Sequence, residues 1–183
     1  MGSLTLITAQ DFEKIAAVLG PCELVKGEVV RMSPGAFEHS FISGNAAVLL
    51  GQYAKSSGTG RMLTNEAGFV VEQAPDTVRG ADVAFLSYRR LPKGAKLQGF
   101  LTVAPELILE ILASEGSWGK IEEKVQEYHR FGVDLVWVAD PKTRSVRVYP
   151  KDGEPALKQR DDELNAPSLL PGFACRVSEL FQD

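Results

Sequence analysis

The chain has 183 residues, 44% of them hydrophobic and 24% charged, with a formal net charge of −4 and an isoelectric point near 5.3. That length points to one domain, residues 1–183, with a sizeable core, and the acidic balance excludes a strongly basic nucleic-acid coat protein. No apolar stretch reaches the ~20 residues of a membrane span, and Met1 to Thr5 lack the basic start and apolar block of a secretory signal.

Thr8 is placed to cap a helix over 9–19, ended by Gly20-Pro21. Segments 22–26 and 28–32 flank Lys26-Gly27 and read as a hairpin. After the break at Ser33-Pro34-Gly35, a long helix follows over 37–55, with His39, Ile42, Ala46, Leu49 and Tyr53 as its buried stripe. Segments 61–65 and 69–73 read as a second hairpin around Glu66-Ala67-Gly68. Residues 82–86 form the next strand, 93–99 an exposed loop and 106–112 the central strand. A second major helix covers 118–131 and stops at Gly132. Strands 135–139 and 145–149 join through Asp140-Pro141-Lys142, and the alternation of Val146 and Val148 with Ser145 and Arg147 predicts one wet face. A break at Pro171-Gly172 and a short helix capped by Ser178 complete the tail. The order predicts an α/β (α+β) single domain, a mixed sheet flanked by helices with N-terminal hairpin extensions.

Glu110 is the most informative residue. It interrupts the apolar run Leu107-Ile108-Leu109-Glu110-Ile111-Leu112, which reads as a strand buried on both faces. A carboxylate buried there needs a cation or hydrogen-bond donors to replace its hydration. Asp82 opens Asp82-Val83-Ala84-Phe85-Leu86, and adjacent strands would bring the two acids together. Two carboxylates with a backbone carbonyl, here that of Ile111, suit magnesium or manganese, which keep several waters. Trp118, Ile121, Val125, Tyr128 and Phe131 form the apolar stripe of the second major helix. At ~100° per residue Lys124 lies about 55° from the stripe centre, against roughly 95–105° for Lys120 and Glu122. Lys124 is therefore the lysine best placed to reach inward. Metal, acids and lysine together are the equipment for hydrolysing a phosphodiester. The plainer readings are Glu110 as half of a structural ion pair, Asp82 as the acceptor of a loop amide, and Lys124 as a solvated partner of Glu123 or Glu127. His39, on the apolar helix face, and Glu28, at the start of a hairpin strand, are further candidates. Their plainer readings are a satisfied core histidine and a solvated acid. The cluster Arg89-Arg90 with Lys93 and Lys96 is a candidate phosphate surface or a solvated loop.

Other chemistries lack their motifs. Gly116-Ser117-Trp118-Gly119 has no lysine for a phosphate loop, and no Gly-x-Ser-x-Gly turn occurs. With His39 and His129 as the two histidines, a His-rich zinc centre is not expected. Cys22 and Cys175 have no zinc or redox spacing and are expected to be reduced thiols of a cytoplasmic protein.

At these residues the chain resembles the Uma-type restriction endonucleases, a branch of the PD-(D/E)XK nuclease superfamily. The resemblance runs through Glu23-Leu24-Val25-Lys26-Gly27-Glu28 and the following His39, Ala81-Asp82-Val83-Ala84-Phe85-Leu86, Pro105-Glu106-Leu107-Ile108-Leu109-Glu110-Ile111-Leu112, Lys124-Val125-Gln126-Glu127-Tyr128, Gly132-Val133-Asp134-Leu135-Val136-Trp137 and Leu170-Pro171-Gly172-Phe173. It implies a restriction-endonuclease-like core and a magnesium-type site. Asp82 would be the PD-motif aspartate and Glu110 the acid of the (D/E)XK motif. The motif's lysine position is Leu112, so that role passes to Lys124, while Glu28 and His39 match an acid and a histidine near the family's site. The chain departs from the pattern at Ala81, usually proline, and at Ala113-Ser114-Glu115-Gly116-Ser117, usually of Ser-Pro-Ser type. The expected function is a metal-dependent DNA endonuclease. The alternative is a catalytically degenerate module of the same fold that binds nucleic acid or protein. Duplex cleavage needs two cuts, which favours a homodimer. Leu169, Leu170, Phe173 and Phe181 are candidates to cover a partner or to cap their own core.

Overall fold

In a computed structural model describing residues 6–183 except 34, 97 and 114–116, with the backbone alone at 65 and 66, the first predicted helix forms as read. The Thr8 hydroxyl accepts the Asp11 amide at 3.1 Å and starts α1 (Ala9–Leu19) with one orphan donor satisfied. β1 (Cys22–Val25) and β2 (Glu28–Arg31) pair antiparallel across Lys26-Gly27, both at positive φ, as a tight two-residue hairpin turn requires. α2 (Phe37–Ser57) ends at a left-handed Gly58 whose amide returns to the Ala54 carbonyl. It buries Ile42, Ala46, Leu50, Tyr53 and Ala54, with His39 and Leu49 on the flanks of that stripe.

The predicted hairpin around Glu66-Ala67-Gly68 is instead one strand. β3 (Gly60–Glu72) runs antiparallel to β4 (Thr77–Ser87), and the register slips between Thr64 and Ala67. The glycine there marks a bulge and a close approach, not a reversal. A Cβ on Gly68 would collide with the ring of Phe100.

β5 (Leu107–Ile111), β6 (Leu135–Asp140), β7 (Ser145–Pro150) and β8 (Ala156–Lys158) extend a sheet of order β2-β1-β4-β5-β6-β7-β8, with β3 also paired to β4. β5 and β6 run parallel, and α3 (Trp118–Phe131) makes the crossover between them. Period-two alternation divides β5 between two faces. Leu107, Leu109 and Ile111 pack with Ile42, Ala46 and Leu50 of α2. Ile108 packs with Val125 and Tyr128 of α3, and Glu110 shares that face.

A small hairpin of β9 (Glu163–Asn165) and β10 (Ala174–Arg176), which the sequence reading did not anticipate, closes the α2 side with the 3₁₀ turn Val177–Leu180. Leu170, Phe173 and Phe181 are buried there and Leu169 packs against them, so these tail residues cap their own core. Ser178 lies inside that turn; Arg176 precedes it, and the Glu179 carboxylate accepts the Arg176 amide at 2.6 Å. The predicted wet face of β7 is covered too. Ser145 is buried, and the Arg147 guanidinium lies 4.1 Å from the ring centre of Trp118 on α3. Among the described residues no helix is long and apolar enough to cross a membrane. The altered segment at Ser114, Glu115 and Gly116 lies outside the described residues, as do Met1 to Thr5 and Pro34.

One irregularity positions the site. β3 lines one edge of β4. The other edge is shared by β1, which meets it at Val78, and β5, which pairs from Val83 to Phe85. Between them residues 79–82 of β4 face neither strand.

Candidate active site

Where β1 and β5 part, side chains take over the ladder. A buried backbone group left unpaired is costly, and both groups of Gly80 find side-chain partners. The Gly80 amide donates to Glu23 Oε1 at 2.9 Å, and its carbonyl accepts from Lys124 Nζ at 2.8 Å. Continuing the β4–β5 register past Val83 and Leu109 would set Asp82 opposite Glu110. Instead the strands diverge, and Asp82 Oδ2 accepts the Ile111 amide at 2.7 Å.

Glu110 is only 4% exposed. Lys124 Nζ lies 3.1 Å from its Oε2, and the Tyr128 hydroxyl donates to its Oε1 at 2.6 Å. Lys124 has three N–H donors, and its three oxygen neighbours are Gly80 O, Glu110 Oε2 and Glu23 Oε1, the last at 3.1 Å. Behind them Arg79 donates to Glu23 at 2.8 Å and forks onto Glu127 at 2.6 and 3.0 Å. Four carboxyl groups, Glu23, Asp82, Glu110 and Glu127, thus stand around two cations, Arg79 and Lys124, with His39 beside Asp82.

The electrostatics follow. Burial pushes the Glu110 carboxyl up to about 8, overriding the pull of Lys124, and the charge of Asp82 adds to the push. For Glu23, burial is outweighed by Lys124 and Arg79, which hold the carboxyl below its ordinary value. For Lys124, burial is outweighed by Glu110, Glu23 and Asp82, which hold the ammonium above its ordinary value. Burial, then Glu110 and Glu23, keep the Tyr128 phenol a neutral donor.

On the α2 side His39 Nε2 lies 3.3 Å from Asp82 Oδ2. Both line an open cleft of about 420 Å³ with Gly35, Ser40, Ser43, Gly44, Ala47 and Thr64. Asp82, itself buried, thus borders the cleft, while Glu110 lies against α3. Among the described residues no three His, Cys, Asp or Glu side chains converge as a ready cage for an ion. Two acids completed by a main-chain oxygen and water remain a donor set that hard cations accept, and carboxyl groups outnumber the lysine and arginine around them.

The structure brings together Asp82, Glu110, Lys124 and His39, with Ile111 joined to Asp82 through its amide. Glu28 is apart from them, exposed on β2 opposite Val25. The hairpin carboxylate that reaches the cluster is Glu23, 6% exposed. The signal for it was legible: Cys22-Glu23-Leu24-Val25 holds one acid in an otherwise apolar strand, the pattern that singled out Glu110. Arg79, Glu127 and the Tyr128 hydroxyl were also missed. The Arg89-Arg90 cluster divides. Arg90 is locked inward on Asp134 and the carbonyls of Ala104, Pro105 and Gly132, while Arg89 stays exposed.

Comparison with curated proteins finds no match. Among solved structures, that of "a putative nuclease belonging to DUF820 from Anabaena variabilis ATCC 29413" aligns with a TM-score of 0.80 and 20% identity, over 96% of this chain and 97% of that one. It shares the mixed α+β architecture described above. The profile of the family described as "Uma2: Putative restriction endonuclease" matches residues 9–178, nearly the whole chain. The chain belongs to the Uma2 family.

Proposed function

We propose that the chain is a divalent-metal-dependent endonuclease acting on DNA, with its centre in the split between β1 and β5. The observation that carries this reading is the buried cluster of four carboxyl groups around two cations, beside a cleft of about 420 Å³. Family membership supports the nuclease activity. Glu110 and Asp82 would hold magnesium or manganese, with the Ile111 carbonyl as a further ligand. Such an ion would neutralise charge on the phosphate oxygens and lower the pKa of a bound water. Lys124 carries its ammonium beside Glu110 and there orients the attacking water or a phosphate oxygen. His39 keeps the Asp82 carboxylate turned toward the cleft. We assign the accessory carboxylate to Glu23 and give exposed Glu28 no part in the chemistry. A homodimer would supply the second cut of a duplex, and light scattering tests it.

The test is incubation of purified protein with supercoiled, linear and single-stranded DNA in magnesium or manganese, beside Glu110→Gln. Cleavage that needs the metal and vanishes in the variant is expected. An inert wild type across those substrates would sink the proposal.

A further inference from the structure

Lys124 and Tyr128 are one helical turn apart on α3, so their side chains leave the same face. They take the two oxygens of one carboxylate: Lys124 Nζ is 3.1 Å from Glu110 Oε2 and the Tyr128 hydroxyl 2.6 Å from Oε1. The two grips differ in kind. Lys124 brings a charge that competes with any cation for Glu110. Tyr128 brings a neutral donor with one proton, and of its two neighbouring acceptors, Glu110 Oε1 at 2.6 Å and Gly80 O at 3.3 Å, the nearer is the carboxylate. The ring is fully buried among Val125, Ile108 and Val136, which leaves the hydroxyl little freedom to turn elsewhere.

We infer that Tyr128 is a positioning residue for the metal-binding carboxylate: its hydroxyl fixes the rotation of Glu110 so that the remaining lone pairs face the ion. The inference rests on the metal-site reading above and adds a residue to it. Hydrogen bonds that orient a ligand group typically govern metal affinity by about 10–100-fold.

Manganese binding, followed by the loss of the free-ion electron paramagnetic signal, separates the possibilities. Tyr128→Phe keeps the ring and removes one oxygen. Val125→Ala, in the same packing, loosens α3 while keeping the hydroxyl, and circular dichroism and thermal melts of both variants monitor the fold. The expected result is at least about tenfold weaker manganese binding in Tyr128→Phe, near-wild-type binding in Val125→Ala, and a matching rise in the manganese needed for half-maximal cleavage by Tyr128→Phe. Equal affinity of Tyr128→Phe and wild type overturns the inference. So does equal weakening in both variants, which would assign the effect to packing. A wild type that binds no manganese overturns the metal site itself, and the inference with it.

Discussion

Glu106 and Glu110 stand at the two ends of β5, 1% and 4% exposed, yet their surroundings differ. Glu106 accepts the Ser87 amide at 2.9 Å and the Ser87 hydroxyl at 2.5 Å, and Arg90 Nε lies 3.3 Å away. Arg90 also grips Asp134 and three carbonyls, and Arg89 approaches Glu106 at 3.6 Å. Two acids face two arginines, and the charge is closed. At the Glu110 end four acids face two cations beside a cleft. Burial of a carboxylate therefore does not by itself mark a site. What distinguishes the Glu110 end is an excess of carboxyl groups over cations beside an open cleft, and burial there raises the Glu110 carboxyl instead of leaving it a bare charge.

Substitutions at the two ends should separate function from stability. Glu110→Gln is expected to abolish metal-dependent cleavage in a plasmid assay, with the fold retained by circular dichroism. Lys124→Met should lower kcat by about 10²-fold or more, as removal of a group that stabilises developing charge does. It should also leave manganese binding intact or tighter in calorimetry, because it removes the cation that competes for Glu110. Glu106→Ala should instead cost about 3 kcal/mol in urea unfolding, the penalty of breaking a buried pair, while the folded fraction still cleaves. Manganese at about 100 times its Kd adds about 2.7 kcal/mol of stability, which is roughly 5–10 °C in Tm for a chain of this size. That shift should survive in Glu106→Ala and vanish in Glu110→Gln. Smallest of all, Glu28→Ala should change stability by no more than about 0.5 kcal/mol and leave cleavage near wild type. A large loss of cleavage there would restore Glu28 to the site at the expense of Glu23.

Much of the architecture is legible from local chemistry. The start of α1 follows from Thr8 and the end of α3 from Gly132, and β5 from the apolar run around Glu110. The reading failed where tertiary context overrides a local signal. Gly68 reads as a turn, but its reason for being glycine is the ring of Phe100, far along the chain. β9 and β10 are three residues each and have too little pattern to detect alone. In the site, Glu110 was visible from its apolar run, Lys124 from helical periodicity and Asp82 from its place at the start of an apolar segment. The Arg79 link between Glu23 and Glu127 spans separations of 56 and 48 residues, which no periodicity encodes.

The β1–β2 hairpin delivers Glu23 through few backbone ties to the sheet. Leu24 and Val78 form its one register pair with β4, and the Lys26 and Gly27 amides dock on Thr77 Oγ1 and Asp76 O at 3.1 and 2.7 Å. Buried Leu24 and the bonds of Glu23 to Gly80, Arg79 and Lys124 supply the rest of its hold, so opening of this arm, at a cost below global unfolding, breaks them together. Each such excursion would take Glu23 away from Lys124 and uncover the Gly80 amide. Deuterium uptake at Gly80 would then clock how often the centre dismantles itself inside an otherwise folded protein.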